Sequence, residues 1–216
     1  MPIEPIECRA ADGVVLRGEE LRQGASWVVL LHDEGDDLDC WQAVRAVLAA
    51  RGWSIVALDL RGHGGSDGEW GRGSATADAA AALGRAAAAG PAHVALVTAG
   101  VTGVLVLEAI EQDTIESALR PDALVLVSPR AADADLATLR GEGIATLVLY
   151  GRRAPHAADA EQLRSASIGW TLGVGVPSEQ AGDRLLRGPE SAVVSDQILS
   201  FLAEQRLVGA RPGSPA

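Results

Sequence analysis

Six short apolar runs punctuate the chain: SWVVLLH, WSIVALDL, HVALVTA, DALVLVS, ATLVLYG and WTLGVGV. Each is continuously apolar rather than alternating, the pattern of strands covered on both faces, as in a parallel sheet between helices. Between these runs the apolar positions recur at helical spacing. In DCWQAVRAVLAARG, Trp41, Val44, Val47 and Leu48 share one helical face, and Gly52 supplies a C-terminal stop. SATADAAAALGRAAAAG has strong helix propensity despite Gly84 and is stopped by Gly90 and Pro91. SAVVSDQILSFLAEQ repeats the helical spacing near the end. The opening segment IECRAADGVVLRGEEL centres on Asp12 and Gly13, a hairpin signal, so antiparallel strands are expected to start the sheet. These elements predict an α/β fold with a mostly parallel central sheet, an antiparallel N-terminal hairpin and helices on both faces. Residues 1–205 are expected to form one domain, and residues 206–216 a flexible tail.

Composition narrows the function classes. The 216 residues are 48% hydrophobic and 22% charged, and the formal net charge of −11 repels phosphate backbones and anionic lipid surfaces, so nucleic acid and membrane partners are not expected. The N-terminal MPIEPIE has neither the positive charge nor the apolar stretch of a secretory signal, and no apolar run approaches the roughly 20 residues of a membrane span. Cys8 and Cys40 are too few for a disulfide framework and lack metal-site spacing, which points to a reducing, cytoplasmic setting. No cofactor is expected: TAGVTG lacks the full glycine pattern of a dinucleotide loop, and the chain contains no lysine for a phosphate loop. The four histidines are scattered without ligand spacing, so no metal is expected either. The acidic run Asp33, Glu34, Asp36, Asp37 and Asp39 reads as a solvated loop in which Asp39 or a neighbour caps the next helix.

Residues 28–68, VVLLHDEGDDLDCWQAVRAVLAARGWSIVALDLRGHGGSDG, resemble the opening half of an α/β-hydrolase: a strand running into a His-Gly turn, a helix with an early tryptophan, then DLRGHGxSxG. The resemblance continues through ALVLVSP, ATLVLYGRRAP and AGDRLLRGPE, and so covers about residues 6–203. Only residues 130–143 join the LVSP strand to the next one, where family members insert a helical cap, so the chain resembles the lidless members.

The family's chemistry uses a serine or cysteine at the elbow G-x-S-x-G, a histidine base, a carboxylate that orients it, and backbone N–H groups that hold the oxyanion. Aligned on this chain, the elbow is Thr98, Ala99, Gly100, Val101 and Thr102, with Gly100 at the nucleophile position. The acid's GxxDP becomes GRRAP, with Ala154, and the base's HGxxLL becomes AGDRLL, with Ala181. The resemblance therefore implies no catalytic residue at any of the three positions. The His-Gly turn is His32-Asp33 here, which sets Asp33 and Glu34 beside the place where an oxyanion would form. Gly100 adopts positive φ without steric cost, and a retained elbow is expected there. Thr98 and Thr102 are expected to pack between strand and helix; Ser128, at a strand end, and His156, two residues past the lost acid, are the remaining groups from which chemistry could be rebuilt. Trp70, in GEWGRG, is a candidate for facing a partner or anchoring its loop.

Two functions follow. One is a catalytically inactive homologue that binds a small apolar or weakly polar ligand, or a protein partner in a homo- or hetero-oligomer, through a pocket made of His32, Asp33, Gly100, Val101, Ala154 and Ala181. The other is a carboxylesterase-like hydrolase working with relocated groups. The absent triad favours the first.

Overall fold

The computed structural model describes residues 2–131, 134–141 and 143–209. All six apolar runs are strands of one eight-stranded sheet. β1 (Glu4–Arg9) and β2 (Val15–Leu21) form the expected antiparallel hairpin around Asp12 and Gly13, and β2 pairs antiparallel with β4 (Ser54–Leu58). β3 (Ser26–Leu31), β4, β5 (His93–Ala99), β6 (Ala123–Val127), β7 (Ala145–Gly151) and β8 (Thr171–Val176) run parallel, in the spatial order β1-β2-β4-β3-β5-β6-β7-β8. β3, β4 and β6 are buried at every position, which is why their sequences are uninterrupted apolar runs.

Each face of the sheet carries its own core. On one, α1 (Gln42–Ala49), led in by a short 3-10 turn at Leu38–Trp41, packs with α6 (Ser191–Gly209) through Trp41, Val44, Leu48, Val194, Ile198 and Phe201. The five-residue α5 (Asp183–Arg187) adds Leu185 and Leu186 to that face. On the other lie α2 (Ser74–Ala87), α3 (Gly100–Glu111) and α4 (Ala157–Ala166), contributing Ala79, Leu83, Val104, Leu107, Ala160 and Leu163. Asp37, not Asp39, caps the turn before α1, its carboxylate accepting from the Asp39 N–H. α6 continues to Gly209, four residues past the expected end of the domain, and residues 210–216 of the expected tail lie outside the described residues. No helix among the described residues is long and apolar enough to cross a membrane.

Two features aim the carboxyl ends of the strands. The chain leaves β3 for β4 on one side and reaches β5 on the other, so a crevice opens beyond β3 and β5, where open α/β sheets bind ligands. α3, buried nearly all round, lies close to β5 and β6 because Gly103 has no side chain: a Cβ there would stand 2.5 Å from Thr98 Oγ1 and 2.9 Å from Leu126 Cδ2. Thr98 and Thr102 are fully buried, as expected of residues packed between strand and helix.

Candidate functional site

β5 ends in extended backbone at Ala99, Gly100 turns at φ +56°, and α3 begins at once. The sharp strand–turn–helix is therefore kept, with glycine carrying the left-handed conformation that strains any other residue. What fills the space above it comes from the loop after β3. A Cβ on Gly100 would lie 1.8 Å from Asp33 Oδ2 and 1.9 Å from its Cγ, so the Asp33 carboxylate stands where a nucleophile's side chain would begin. Asp33 Oδ1 accepts hydrogen bonds from the Val101 N–H and the Glu34 N–H, both at 2.8 Å, and a guanidinium nitrogen of Arg130 stands at 3.5 Å. One N–H from the residue after the elbow and one from the β3 loop make up an oxyanion hole in α/β-hydrolases. In this chain both donors are given to a carboxylate of its own. Burial pushes the Asp33 carboxyl above its ordinary value, against the pull of the Val101 N–H and Arg130.

The histidines nearest the elbow are committed to structure. His32 is fully buried; its Nε2 accepts from the Leu60 N–H at 2.9 Å, so its Nδ1 donates to the Asp33 carbonyl at 2.7 Å. Burial pushes this imidazole down to about 4, overriding the bond to the Asp33 carbonyl. His63 makes the same two kinds of hydrogen bond, its Nε2 accepting from the Gly35 N–H at 2.9 Å and its Nδ1 donating to the Arg61 carbonyl at 3.0 Å. Trp70 closes over them, its ring edge-on to His63 at 5.7 Å and packed on Ala75, Val101 and Leu105. Of its two expected roles, Trp70 takes that of a loop anchor. His93 opens β5, at the end of the sheet opposite the elbow.

In front of Asp33 lies a cleft of about 290 Å³. Asp33, Glu34, Asp36 and Asp183 share its wall with Ser128, Arg130 and His156, and Ala181 lines it as well. Of the six pocket residues named from sequence, Asp33 and Ala181 therefore face this cleft. Gly100 and Val101 lie behind the Asp33 carboxylate, Ala154 is buried in the turn after β7, and His32 is interior. The ligand expected from sequence is small and apolar or weakly polar, whereas the cleft presents mainly charged side chains. Its side chains come from the loops after β3, β6, β7 and β8, which bring charge, whereas four of the six residues expected there, Gly100, Val101, Ala154 and Ala181, carry no polar side chain.

Ser128 and His156, far apart in sequence, meet in this cleft. Ser128 sits at φ +47°, one of two non-glycine residues in the left-handed region among those described, and its N–H donates to the Leu149 carbonyl at 2.7 Å. Its hydroxyl is buried without a partner among the described residues, so no imidazole bonds it. His156 Nδ1 stands 3.8 Å from Asp159 Oδ2, which also accepts from the Ala131 N–H at 2.9 Å. Asp36 is raised by burial first and by the nearby Asp183 as well, while Arg187 pairs with Asp36 and Asp37. Sequence reasoning passed over Arg130 and Asp183. It also treated two changes separately that belong together: an acid where the resemblance expects glycine, and glycine where it expects a nucleophile.

The serine aminopeptidase (S33) family model matches residues 23–167. None of the curated proteins matches the chain in sequence. Among solved structures, a lidless α/β serine hydrolase from Xanthomonas campestris superposes with a TM-score of 0.76 at 16% identity, covering 100% of this chain and 99% of that one. An esterase from Pyrococcus furiosus gives 0.72 at 14% identity, over 94% and 91% of the two chains. A thermophilic esterase from Thermogutta terrifontis gives 0.71 at 16% identity, over 94% and 99%. At such identities the likeness is one of fold.

Proposed function

For a chain that belongs to the serine aminopeptidase (S33) family of α/β-hydrolases, we propose a function in binding rather than cleavage: an inactive homologue that takes a small ligand in the cleft before Asp33. One observation carries the reading. The Asp33 carboxylate occupies the space of an elbow nucleophile and accepts both N–H donors that would hold an oxyanion. A substrate carbonyl arriving there meets a fixed negative charge in place of the donors that stabilise its transition state. Ala154 and Ala181 offer no orienting acid and no base at the family's positions, and His32 and His63 have both ring nitrogens engaged. A role as a partner subunit remains compatible with the same inert site.

The second reading is an esterase with relocated groups. It is favoured by one arrangement, a strained Ser128 sharing the cleft with His156, whose ring has Asp159 behind it. Pro129 weighs against it, because the residue after such a nucleophile has no N–H for an oxyanion. The relatives in Pyrococcus and Thermogutta are described as esterases, so the assay is a direct one. Purified protein is expected to hydrolyse p-nitrophenyl acetate and butyrate no faster than heat-unfolded protein, and to resist a fluorophosphonate probe. Turnover, together with labelling of Ser128 that disappears in His156→Gln, would overturn the binding reading in favour of the second.

A further inference from the structure

The two free edges of the sheet are built differently. β1 closes one side with Glu4, Pro5, Glu7 and Arg9, charges and a proline of the kind that keep an edge strand from pairing with another chain. β8 closes the other side with TLGVGV and has neither device. Residues 165–178 carry no charged side chain, in a protein whose formal net charge is −11.

The hydrogen bonds of β8 identify its free groups. The Trp170 carbonyl accepts from the Thr146 N–H at 3.0 Å and the Val176 carbonyl from the Arg152 N–H at 2.8 Å, so the even-numbered residues turn their backbone toward β7. Thr171, Gly173 and Gly175 therefore turn theirs outward. Of these outward groups only the Gly175 carbonyl has a partner among the described residues, Arg152 Nε at 2.8 Å. The side chains of Val174 and Val176 point to the face that carries α6 and join its core, and Leu172 shares that face. Trp170 lies on it too, its ring stacked on Phe201 at 5.7 Å, yet Trp170 is 52% and Leu172 42% exposed. An unpaired backbone ladder and two large uncovered apolar side chains thus follow one uncharged line.

We infer that the protein self-associates through β8, two copies pairing antiparallel about a twofold axis at Gly173 and joining their sheets. The inference is independent of the cleft reading. Gly173 then exchanges two N–H···O=C bonds with Gly173 of the other copy, and Thr171 exchanges two with the partner's Gly175, whose carbonyl has a second lone pair beside Arg152. Leu172 stands directly opposite the partner's Val174, in the type of pair that brings side chains closest, and Trp170 opposite the partner's Val176. Each copy's exposed apolar side chains are so covered by the other's strand. Charge favours the same site, because two acidic chains repel and meet with least opposition along a strip that bears none. On the opposite face the stems of Arg164 and Arg152 lie over Gly173 and Gly175, and Arg164 is already answered by Glu161 at 2.9 Å.

Sedimentation velocity on the intact protein, from about 1 to 200 μM, tests this. One strand and two large apolar side chains from each copy make a small interface, so a micromolar dissociation constant is expected, with the mass rising from one chain to two across the series. Leu172→Glu leaves the β7–β8 ladder in place but sets a charge against the partner's Val174, and should weaken the dimer at least about tenfold. Glu4→Ala, on the opposite edge, should leave it unchanged. Cα atoms in a non-hydrogen-bonded pair lie about 4.5 Å apart, within disulfide reach. Oxidised Leu172→Cys/Val174→Cys protein should therefore run as a covalent dimer on a non-reducing gel. A single-chain mass at every concentration, a dimer undiminished by Leu172→Glu, or failure of the doubly substituted protein to cross-link overturns the inference.

Discussion

The loop after β4 and the turn after β5 flank β3 at the carboxyl edge of the sheet, and they satisfy their polar groups in different ways. After β4, Asp59 accepts from the Leu38 N–H at 2.9 Å and the Gly65 N–H at 2.8 Å, Ser66 Oγ donates to the Asp59 carbonyl at 2.6 Å, and His32 and His63 tie the loop to its neighbour after β3. Asp59, His63 and Ser66 belong to the DLRGHGGS stretch, and each of their side chains braces backbone. After β5, the turn has kept its shape but holds no reactive side chain, and its Val101 N–H is answered by a carboxylate 68 positions earlier in the chain. The difference separates the framework of a hydrolase site from its chemistry. Around β4 the polar groups fix loops to one another, while at the β5 turn the Val101 and Glu34 N–H groups both donate to the Asp33 carboxylate.

The strongest way to break that contact is Gly100→Ser. The new Cβ collides with the Asp33 carboxylate and must also adopt φ +56°, so a loss of roughly 3–5 kcal/mol in unfolding free energy is expected. If Asp33 is the cause, the double variant Asp33→Gly/Gly100→Ser should be more stable than the two single losses predict, with a coupling of about 2 kcal/mol in denaturant titrations. Simple additivity would mean that the two positions do not share one space. On the proposed binding reading, the double variant is expected to hydrolyse p-nitrophenyl acetate no faster than heat-unfolded protein, because Ala181 supplies no base.

The braced loop is tested by pH. His32 titrates at about 4 in the fold and at about 6.5 when unfolded, so between these values the unfolded chain binds the extra proton. Stability from this group is complete above about pH 6.5 and is lost as pH falls toward 4, for a total of roughly 3 kcal/mol. Proton NMR should show the His32 ring unshifted through pH 6 and 5; a midpoint near 6.5 would contradict its role as a buried strut. The smallest effect belongs to Arg130→Ala. The contacts of this half-buried guanidinium with Asp33 and Glu34 are long, and the loss should stay below about 1 kcal/mol in thermal unfolding.

How much of this was legible in the sequence depends on the range of the interaction involved. The strands, the hairpin at Asp12 and Gly13, the covering helices and the left-handed glycine at position 100 all follow from local signals: run length, spacing and backbone permissiveness. The placing of Gly100, Ala154 and Ala181 at the family's reactive positions is likewise a reading of the sequence alone, through its resemblance to the family. Which member of the acidic run after β3 leaves solvent to enter the elbow is not, because that depends on how closely the loop after β3 approaches a turn two strands later in the chain. The same holds for the meeting of Ser128, Arg130, His156 and Asp183, drawn from three loops by the order β3-β5-β6-β7-β8. Local pattern decides what a segment becomes. The partner of a buried charge is decided by distances between segments, and those exist only once the sheet has assembled.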